Sequence, residues 1–380
     1  MKALVFLNSG EAGGAEKVVS ILSHSFVKDD VGIVFIKNNV FHDFNDELTY
    51  FTLDKSEKTG NESLLTLALK LKRIVKENEI KVVQSHMYRS NYINILSKIL
   101  GSRHRVQIVN CDCVSTKYTC GVKSIASKIL IFSLYRFADL TITKSKAMLQ
   151  DLKKYTKIKN GLVIYNPIDI KKIRAMKLDD SINFNRNDFK FEKLIVSVGR
   201  FHSQKRQNDI ITSLSLLDES YGLILIGDGE EIESCKNLAE SLNVSERIIF
   251  TGKVTNPFSI LAQCDVFVMA SSCEGFPNAL AEAMACGLPI ISSDHLSGAK
   301  EILSERQDVL NLMKYKETFS CEEYGILYPV GNVTQLTQSI EYMFMNDLNC
   351  YYSERSLFRV NNYKSSRSIK LYCDVLLSKY

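Results

Sequence analysis

Short runs of β-branched and aliphatic residues alternate along this chain with longer segments whose apolar positions recur every three or four residues. That alternation predicts βα units stacked into parallel sheets. In the first half it predicts strands at 3–7, 31–36, 81–85, 106–110, 139–143 and 162–165, with helical periodicity at 15–26 and 64–78. In the second of those helices Leu64, Leu67, Ala68, Leu71, Ile74 and Val75 share one face, opposite Lys70, Lys72, Arg73 and Lys76. A polar passage from 169 to 192, with neither period, reads as a linker. Beyond it the alternation restarts, with strands expected at 194–198, 223–226, 248–250, 266–270, 289–292 and 326–328. Helices are expected near 205–217, 230–242, 259–263, 278–285 and 333–345.

The expected fold class is therefore α/β, with two doubly wound Rossmann-like domains at 1–168 and 193–350. A helical tail, 351–380, carries Leu371, Val375 and Leu376 as an apolar stripe and is expected to return across the junction onto the first domain. Ligands of such sheets bind at the carboxyl ends of the strands, so two facing domains would offer a cleft. No period of 20–50 residues appears, which excludes a solenoid.

Composition agrees with two cores: 380 residues, 45% hydrophobic and 24% charged, exclude a disordered chain. Apolar runs such as 129–134 fall well short of a bilayer span, and the first residues enter a strand without a cleavage site. Ten cysteines do not form a disulfide framework. Cys111, Cys113 and Cys120 cluster, with His104 as a further candidate ligand for a metal, but without a C-x-x-C pair they read as buried or semi-exposed free thiols rather than as a metal site. A reducing, cytoplasmic setting follows. The net charge of +5 looks bland until the chain is split at Tyr165. Residues 1–165 carry 25 basic and 15 acidic side chains, net +10, and the remainder is net −5. One domain is thus suited to something anionic, unless its lysines form only a solvated surface.

Three loops carry candidate chemistry. The first strand leads into Gly10-Glu11-Ala12-Gly13-Gly14-Ala15-Glu16, where glycines before a helix let a phosphate approach, although a plain strand-to-helix turn explains them too. The spacing is not that of a dinucleotide fingerprint. In the second half, Arg200 follows a strand and Lys205 stands five residues on. They could hold a diphosphate from two sides or be two surface charges. The third loop is Ser272-Cys273-Glu274-Gly275-Phe276-Pro277-Asn278-Ala279-Leu280-Ala281-Glu282. Pro277 is expected at the first helical position, and the N–H groups of Gly275, Phe276, Asn278 and Ala279 could hold a phosphate. A carboxylate before that nest and another along its side suit a ligand with hydroxyls at both ends, as in a nucleotide sugar. His86, ending a strand, is by itself more readily structural than functional.

Glu274-x7-Glu282, Gly199-Arg200…Lys205, Gly227-Asp228-Gly229 and Gly13-Gly14-Ala15-Glu16 together resemble the retaining glycosyltransferases of family 4, which have the GT-B fold. The resemblance spans 1 to about 345 and is strongest over 194–303. It implies that Arg200 and Lys205 neutralise a donor diphosphate, Glu282 binds the ribose, Glu274 meets the donor sugar and Gly14 backs the phosphate. It implies further that Val254 lies where the main chain reads the base, and that His86 faces the sugar. A metal-independent transfer with retention is expected, needing no cofactor beyond a donor that is best guessed as UDP-linked. The stretch Asp294-His295-Leu296-Ser297-Gly298 departs from the family's usual glycine-rich turn. With Asn256-Pro257 it resembles bacterial enzymes that move N-acetylgalactosamine or a related hexosamine onto undecaprenyl-diphosphate-linked glycans. The partners so implied are a UDP-sugar, a lipid-diphosphate-linked acceptor for O-antigen or other glycan assembly, and the anionic inner face of the cytoplasmic membrane. Nucleic acid is not among them. Another UDP-sugar enzyme on the same fold, such as an epimerase or hydrolase, and an inactive nucleotide-binding protein are the alternatives.

Overall fold

The computed structural model describes residues 1–11, 13–54, 62–118, 121–179 and 184–377. It divides into two compact units, Met1–Pro167 with Ser365–Tyr380, and Ile168–Lys364.

The first unit is built on seven parallel strands: β1 (Ala3–Leu7), β2 (Val31–Phe35), β3 (Thr49–Thr52), β4 (Val82–His86), β5 (Arg105–Asn110), β6 (Leu140–Thr143) and β7 (Gly161–Val163). Their order is β3-β2-β1-β4-β5-β6-β7. The central strands are buried on both faces, so they read as unbroken apolar runs. Alternation decides which layer each residue joins. Ala3, Val5 and Leu7 of β1 pack with Val18, Val19 and Leu22 of the helix Gly14–Ser23. Leu4 and Phe6 pack instead with Leu67, Ala68, Leu71 and Val75 of the helix Leu64–Glu77. That helix buries the stripe expected of it and is capped by Ser63, whose side chain accepts from the Thr66 amide.

The second unit repeats the plan with β8 (Lys193–Val198), β9 (Tyr221–Ile226), β10 (Ile248–Gly252), β11 (Val266–Met269), β12 (Ile290–Ser293), β13 (Ser320–Glu322) and β14 (Gly325–Tyr328). The order is β10-β9-β8-β11-β12-β14-β13, and the β13–β14 pair alone is antiparallel among the described residues. In both sheets the order reverses beside the first strand: between β1 and β4 in one, between β8 and β11 in the other. Those two reversals are the places where an open α/β sheet presents a ligand crevice at its strand ends.

Two organisational expectations change. The passage 169–192 is not a linker over its described part but belongs to the second unit. Asp169 caps a helix, Ile170–Met176, which buries Ile170 and Ile173. Arg186 bonds the Gln263 carbonyl oxygen at 2.9 Å and pairs with Asp265 at 2.8 Å. The helix was missed because seven residues show too little periodicity. The tail also does not act as one piece. Helix Asn349–Arg359 stays with the second unit, where Tyr352 joins the core and Ser356 donates to the Leu288 carbonyl at 2.8 Å. Only the helix Ser365–Leu377 packs on the first unit, burying Tyr372 and Leu376. Among the described residues, β3 and β13 had no counterpart in the expected strands. Both are short edge strands with little continuous burial to mark them.

Candidate active site

Arg200 and Glu274 occupy loops that leave β8 and β11, the strands on either side of the second unit's reversal. The β8 loop is shaped by its neighbours. A Cβ on Gly227 would lie 2.0 Å from the Gly199 carbonyl oxygen, and one on Gly229 would lie 2.2 Å from that of Phe201. Both residues have positive φ, +141° and +156°. Gly227-Asp228-Gly229 therefore exists to let one loop pack on the other. The Gly199 amide bonds the Ile226 carbonyl, and the Phe201 amide that of Asp228.

Arg200 is exposed in this turn. Lys205 does not start a helix; it lies in a 3-10 turn, Ser203–Lys205, and Arg206 in the left-handed region (φ +53°) separates that turn from the helix Gln207–Leu216. This geometry brings Lys205 to Glu274. Its Nζ lies 2.5 Å from Glu274 Oε1, an ion pair in which the two side chains are 26% and 11% exposed. Ser271 Oγ donates to the same carboxylate oxygen at 2.8 Å. Gln204 ties the two loops together: its Nε2 donates to the Cys273 carbonyl at 2.5 Å, and its own carbonyl accepts from the Ser272 amide at 2.8 Å. Neither Ser271 nor Gln204 was singled out in the sequence, since neither belongs to a recognisable spacing.

Pro277 sits at the N-cap of the helix Asn278–Cys286 rather than at its first helical position. The reason is the turn before it: the Asn278 amide bonds the Phe276 carbonyl at 2.9 Å, which closes the chain one residue later than the proline rule predicts. The helix has no side-chain cap, so its first-turn N–H groups point out of its end as the positive pole of its dipole. Gly275 and Ala279 lie on either side of that end, and Glu282 is half-buried one turn in. Val254 is half-buried in the loop after β10. Asn256-Pro257 has a local explanation there, because Asn256 caps the helix Pro257–Leu261 by accepting from the Phe258 amide at 3.1 Å.

The turn Asp294–Gly298 leans on the Glu274 loop. Leu296 pairs with Cys273 as a β-bridge, and a Cβ on Gly298 would lie 2.8 Å from Pro277 Cδ. His295 is wholly buried and its ring Nδ1 lies 3.0 Å from the Ser293 carbonyl. Burial holds its pKa below the usual imidazole value against the opposing pull of Glu274.

In the first unit, Gly13 and Gly14 do open a helix at the end of β1, but the space beside Gly13 is taken from within. A Cβ on Gly13 would lie 2.2 Å from Glu16 Oε2, so the glycine makes room for that carboxylate at the helix N-terminus. Burial raises the Glu16 pKa. His86 ends β4, yet its ring does not face an open site. The side chain is fully buried, its Nε2 lies 3.3 Å from Gln84 Oε1, and its ring lies 6.2 Å from that of Tyr372 in the Ser365–Leu377 helix. Burial, reinforced by the Lys144 ammonium, holds it well below the usual imidazole range. The residue is on the core side of the sheet because alternation along β4 puts Val82, Gln84 and His86 on one face. His86 is thus held in this structure as a buried ring beside Tyr372.

The cysteine cluster holds no ligand set among its described members. Cys111 is a free thiol, Cys113 is buried, Cys120 lies outside the described residues, and His104 is engaged by Ser102 Oγ at 2.9 Å and Asn94 Oδ1 at 2.8 Å. Among the described residues, no three His, Cys, Asp or Glu side chains converge as metal ligands, and no helix is long and apolar enough to cross a membrane.

Comparison with known proteins gives the arrangement a family. A model described as Glycosyl transferases group 1 matches residues 179–355, and one described as Glycosyltransferase Family 4 matches residues 12–172. The N-acetylgalactosamine-N,N'-diacetylbacillosaminyl-diphospho-undecaprenol 4-alpha-N-acetylgalactosaminyltransferase of Campylobacter jejuni is 29% identical over 352 residues, 90% of each chain. The lipopolysaccharide 1,6-galactosyltransferase of Salmonella typhimurium is 31% identical over 145 residues, 37% of this chain and 38% of that one. Among solved structures, Anabaena HepE in complex with UDP superposes with a TM-score of 0.79 at 18% identity, covering all of both chains. Two family models that between them match most of the chain, on a GT-B fold, make it a member of the group 1 and family 4 glycosyltransferases.

Proposed function

We propose that this glycosyltransferase moves an N-acetylhexosamine, best matched by N-acetylgalactosamine, from a UDP-sugar to a hydroxyl of a lipid-diphosphate-linked saccharide. The product would serve bacterial surface polysaccharide or related glycan assembly at the inner face of the membrane. The observation that carries the reading is the convergence of Lys205, Glu274 and an uncapped helix N-terminus at the second sheet's reversal point. The activity for which the Campylobacter relative is named supports the choice of sugar and acceptor, and the HepE complex supports the choice of UDP.

In this mechanism the departing nucleoside diphosphate builds negative charge beside Lys205, Arg200 and the N–H groups from Gly275 to Ala279. Fixed donors aimed at developing charge stabilise the transition state more than the ground state. Lys205 must then exchange Glu274 for phosphate, which leaves the Glu274 carboxylate, still held by Ser271, to accept from hydroxyls of the donor sugar. Glu282 holds the ribose, and the main chain at Val254 reads the base. The acceptor hydroxyl attacks on the face the diphosphate leaves, gives its proton to the departing phosphate oxygen, and configuration is retained. No metal is assigned a part.

Incubation with a panel of UDP-sugars and an undecaprenyl-diphosphate-linked saccharide, read by mass spectrometry, tests the reading. A mass gain of one N-acetylhexosamine on the lipid, with full turnover in excess EDTA, is expected. Sugar release without acceptor modification, or activity restored only by added metal, would reject it.

A further inference from the structure

The pairing of β1 with β2 continues past the ends of both strands. The Lys37 amide bonds the Asn8 carbonyl at 3.1 Å, the Gly10 amide that of Asn39 at 2.8 Å, and the Phe41 amide that of Gly10 at 2.8 Å. Gly10 and Val40 form a parallel bridge, so close that a Cβ on Gly10 would lie 3.0 Å from Val40 Cα. Beyond the bridge, His42 Nε2 lies 3.2 Å from the Gly13 carbonyl, and Phe44 is buried edge-on to Phe35 with ring centres 5.6 Å apart. The loop after β2 is thus fixed along its length, yet it leaves Val40 52% and Phe41 73% exposed. The His42 ring supports Phe41 edge-on at 5.4 Å. Single apolar side chains on a surface need no explanation. An adjacent pair held rigidly at the carboxyl ends of parallel strands, one strand from the reversal beside β1, is a preformed surface where such sheets take ligands.

Charge narrows what that surface can take. Residues 10–17 and 37–47 hold Glu11, Glu16, Asp43, Asp46 and Glu47 against Lys17 and Lys37, within a half of the chain that is net +10. Asn39 Nδ2 donates to Glu11 Oε1 at 3.0 Å, which keeps that carboxylate beside the bridge. Local negative charge disfavours a diphosphate or an anionic bilayer here. A neutral sugar ring fits instead: its C–H face is weakly positive and meets the negative face of an aromatic ring, while its hydroxyls donate to carboxylates.

We propose that Phe41, backed by Val40, is the platform on which a sugar ring of the acceptor saccharide lies, with carboxylates of the two loops accepting from its hydroxyls. The inference rests on the saccharide acceptor proposed above and names residues that meet it. His42 is a positioning residue, holding the platform through Gly13 and through the edge of the Phe41 ring.

Transfer is assayed with the full-length enzyme, a UDP-sugar and the undecaprenyl-diphosphate-linked saccharide, then repeated with the same saccharide diphosphate on a short, water-soluble lipid. Phe41→Ala should raise the acceptor KM by about tenfold on both acceptors, with kcat and the donor KM within about twofold of the parent. Phe41→Tyr, which keeps the ring, should restore the parent's acceptor KM. The alanine variant should melt as the parent does, because the Phe41 side chain lies outside the core. An unchanged acceptor KM, or a loss confined to kcat, overturns the platform, while transfer by the parent leaves the proposed reaction standing. A KM effect that disappears with the short lipid assigns Phe41 to the lipid chain and rejects the saccharide. A parent that transfers to neither acceptor overturns both.

Discussion

Lys205 and Glu274 sit close enough to satisfy one another before any donor arrives, and that defines what replacing each should do. Removing Lys205 takes a cation from the developing diphosphate charge, and loss of one such group costs about 100- to 1000-fold in kcat. Lys205→Ala should therefore lower kcat by that order with the fold intact; undiminished turnover would reject the diphosphate assignment. Under the proposed ribose role, Glu282→Ala should weaken donor affinity by about tenfold or more, read by calorimetry with UDP. Unchanged affinity would move the ribose elsewhere. A third residue-scale prediction concerns His104, whose pKa burial lowers to about 4. The neutral ring is favoured in the folded state, so this stability is present above the ordinary imidazole value. It is lost as pH falls from about 6.5 toward 4, by about 3 kcal/mol in all. His104→Gln should flatten that part of the stability profile in urea titrations across this range. An unaltered profile would assign the acid sensitivity to other groups, of which buried His86 and His295 shift in the same direction.

At the scale of elements, the Ser365–Leu377 helix does more than end the chain. Tyr372 Oη accepts from the buried Lys144 ammonium at 2.7 Å, and Gln107 Nε2 donates to the Val375 carbonyl at 2.8 Å. Both contacts are made inside the first unit, to the faces of β5 and β6 ends. Tyr372→Phe would leave the Lys144 charge buried without its oxygen partner, and a hydrogen bond to a charged group is worth about 1.5–3 kcal/mol. A loss of that size in denaturant titration is expected; a neutral result would mean that Lys144 finds another acceptor. The buried pair of Lys300 and Asp294, 2.9 Å apart, plays a similar part for the turn against the Glu274 loop. Lys300→Met should destabilise by about 3–5 kcal/mol because it strands a buried carboxylate.

Across the whole molecule, charge is divided unevenly, net +10 over residues 1–165 and net −5 over the rest, and under the proposed function this gives the two halves different partners. The first unit's surplus of cations, in the half with net charge +10, can draw the protein to anionic lipid at about 1 kcal/mol for each side chain near the surface. Membrane association should accordingly weaken with salt, measured by flotation. Much of this plan was legible in the sequence, because its signals are short-range. Apolar runs bounded by turn residues located twelve of the strands, and the Gly-Arg…Lys and Glu-x7-Glu spacings located the loops that follow β8 and β11. Short, weakly buried pieces such as β3, β13 and the Ile170–Met176 helix carried no comparable signal. What the tertiary structure alone decided were the partners. Lys205 and Glu274 are 69 residues apart, Lys144 and Tyr372 are 228 apart, and Gln107 reaches Val375 across 268. The identity of an element follows from contacts within a few residues, so local pattern determines it. Whether Glu274 meets a lysine, whether Gly13 leaves its space to Glu16, and whether His86 faces solvent or core depend on which strands and helices come together, and only the folded chain settles that.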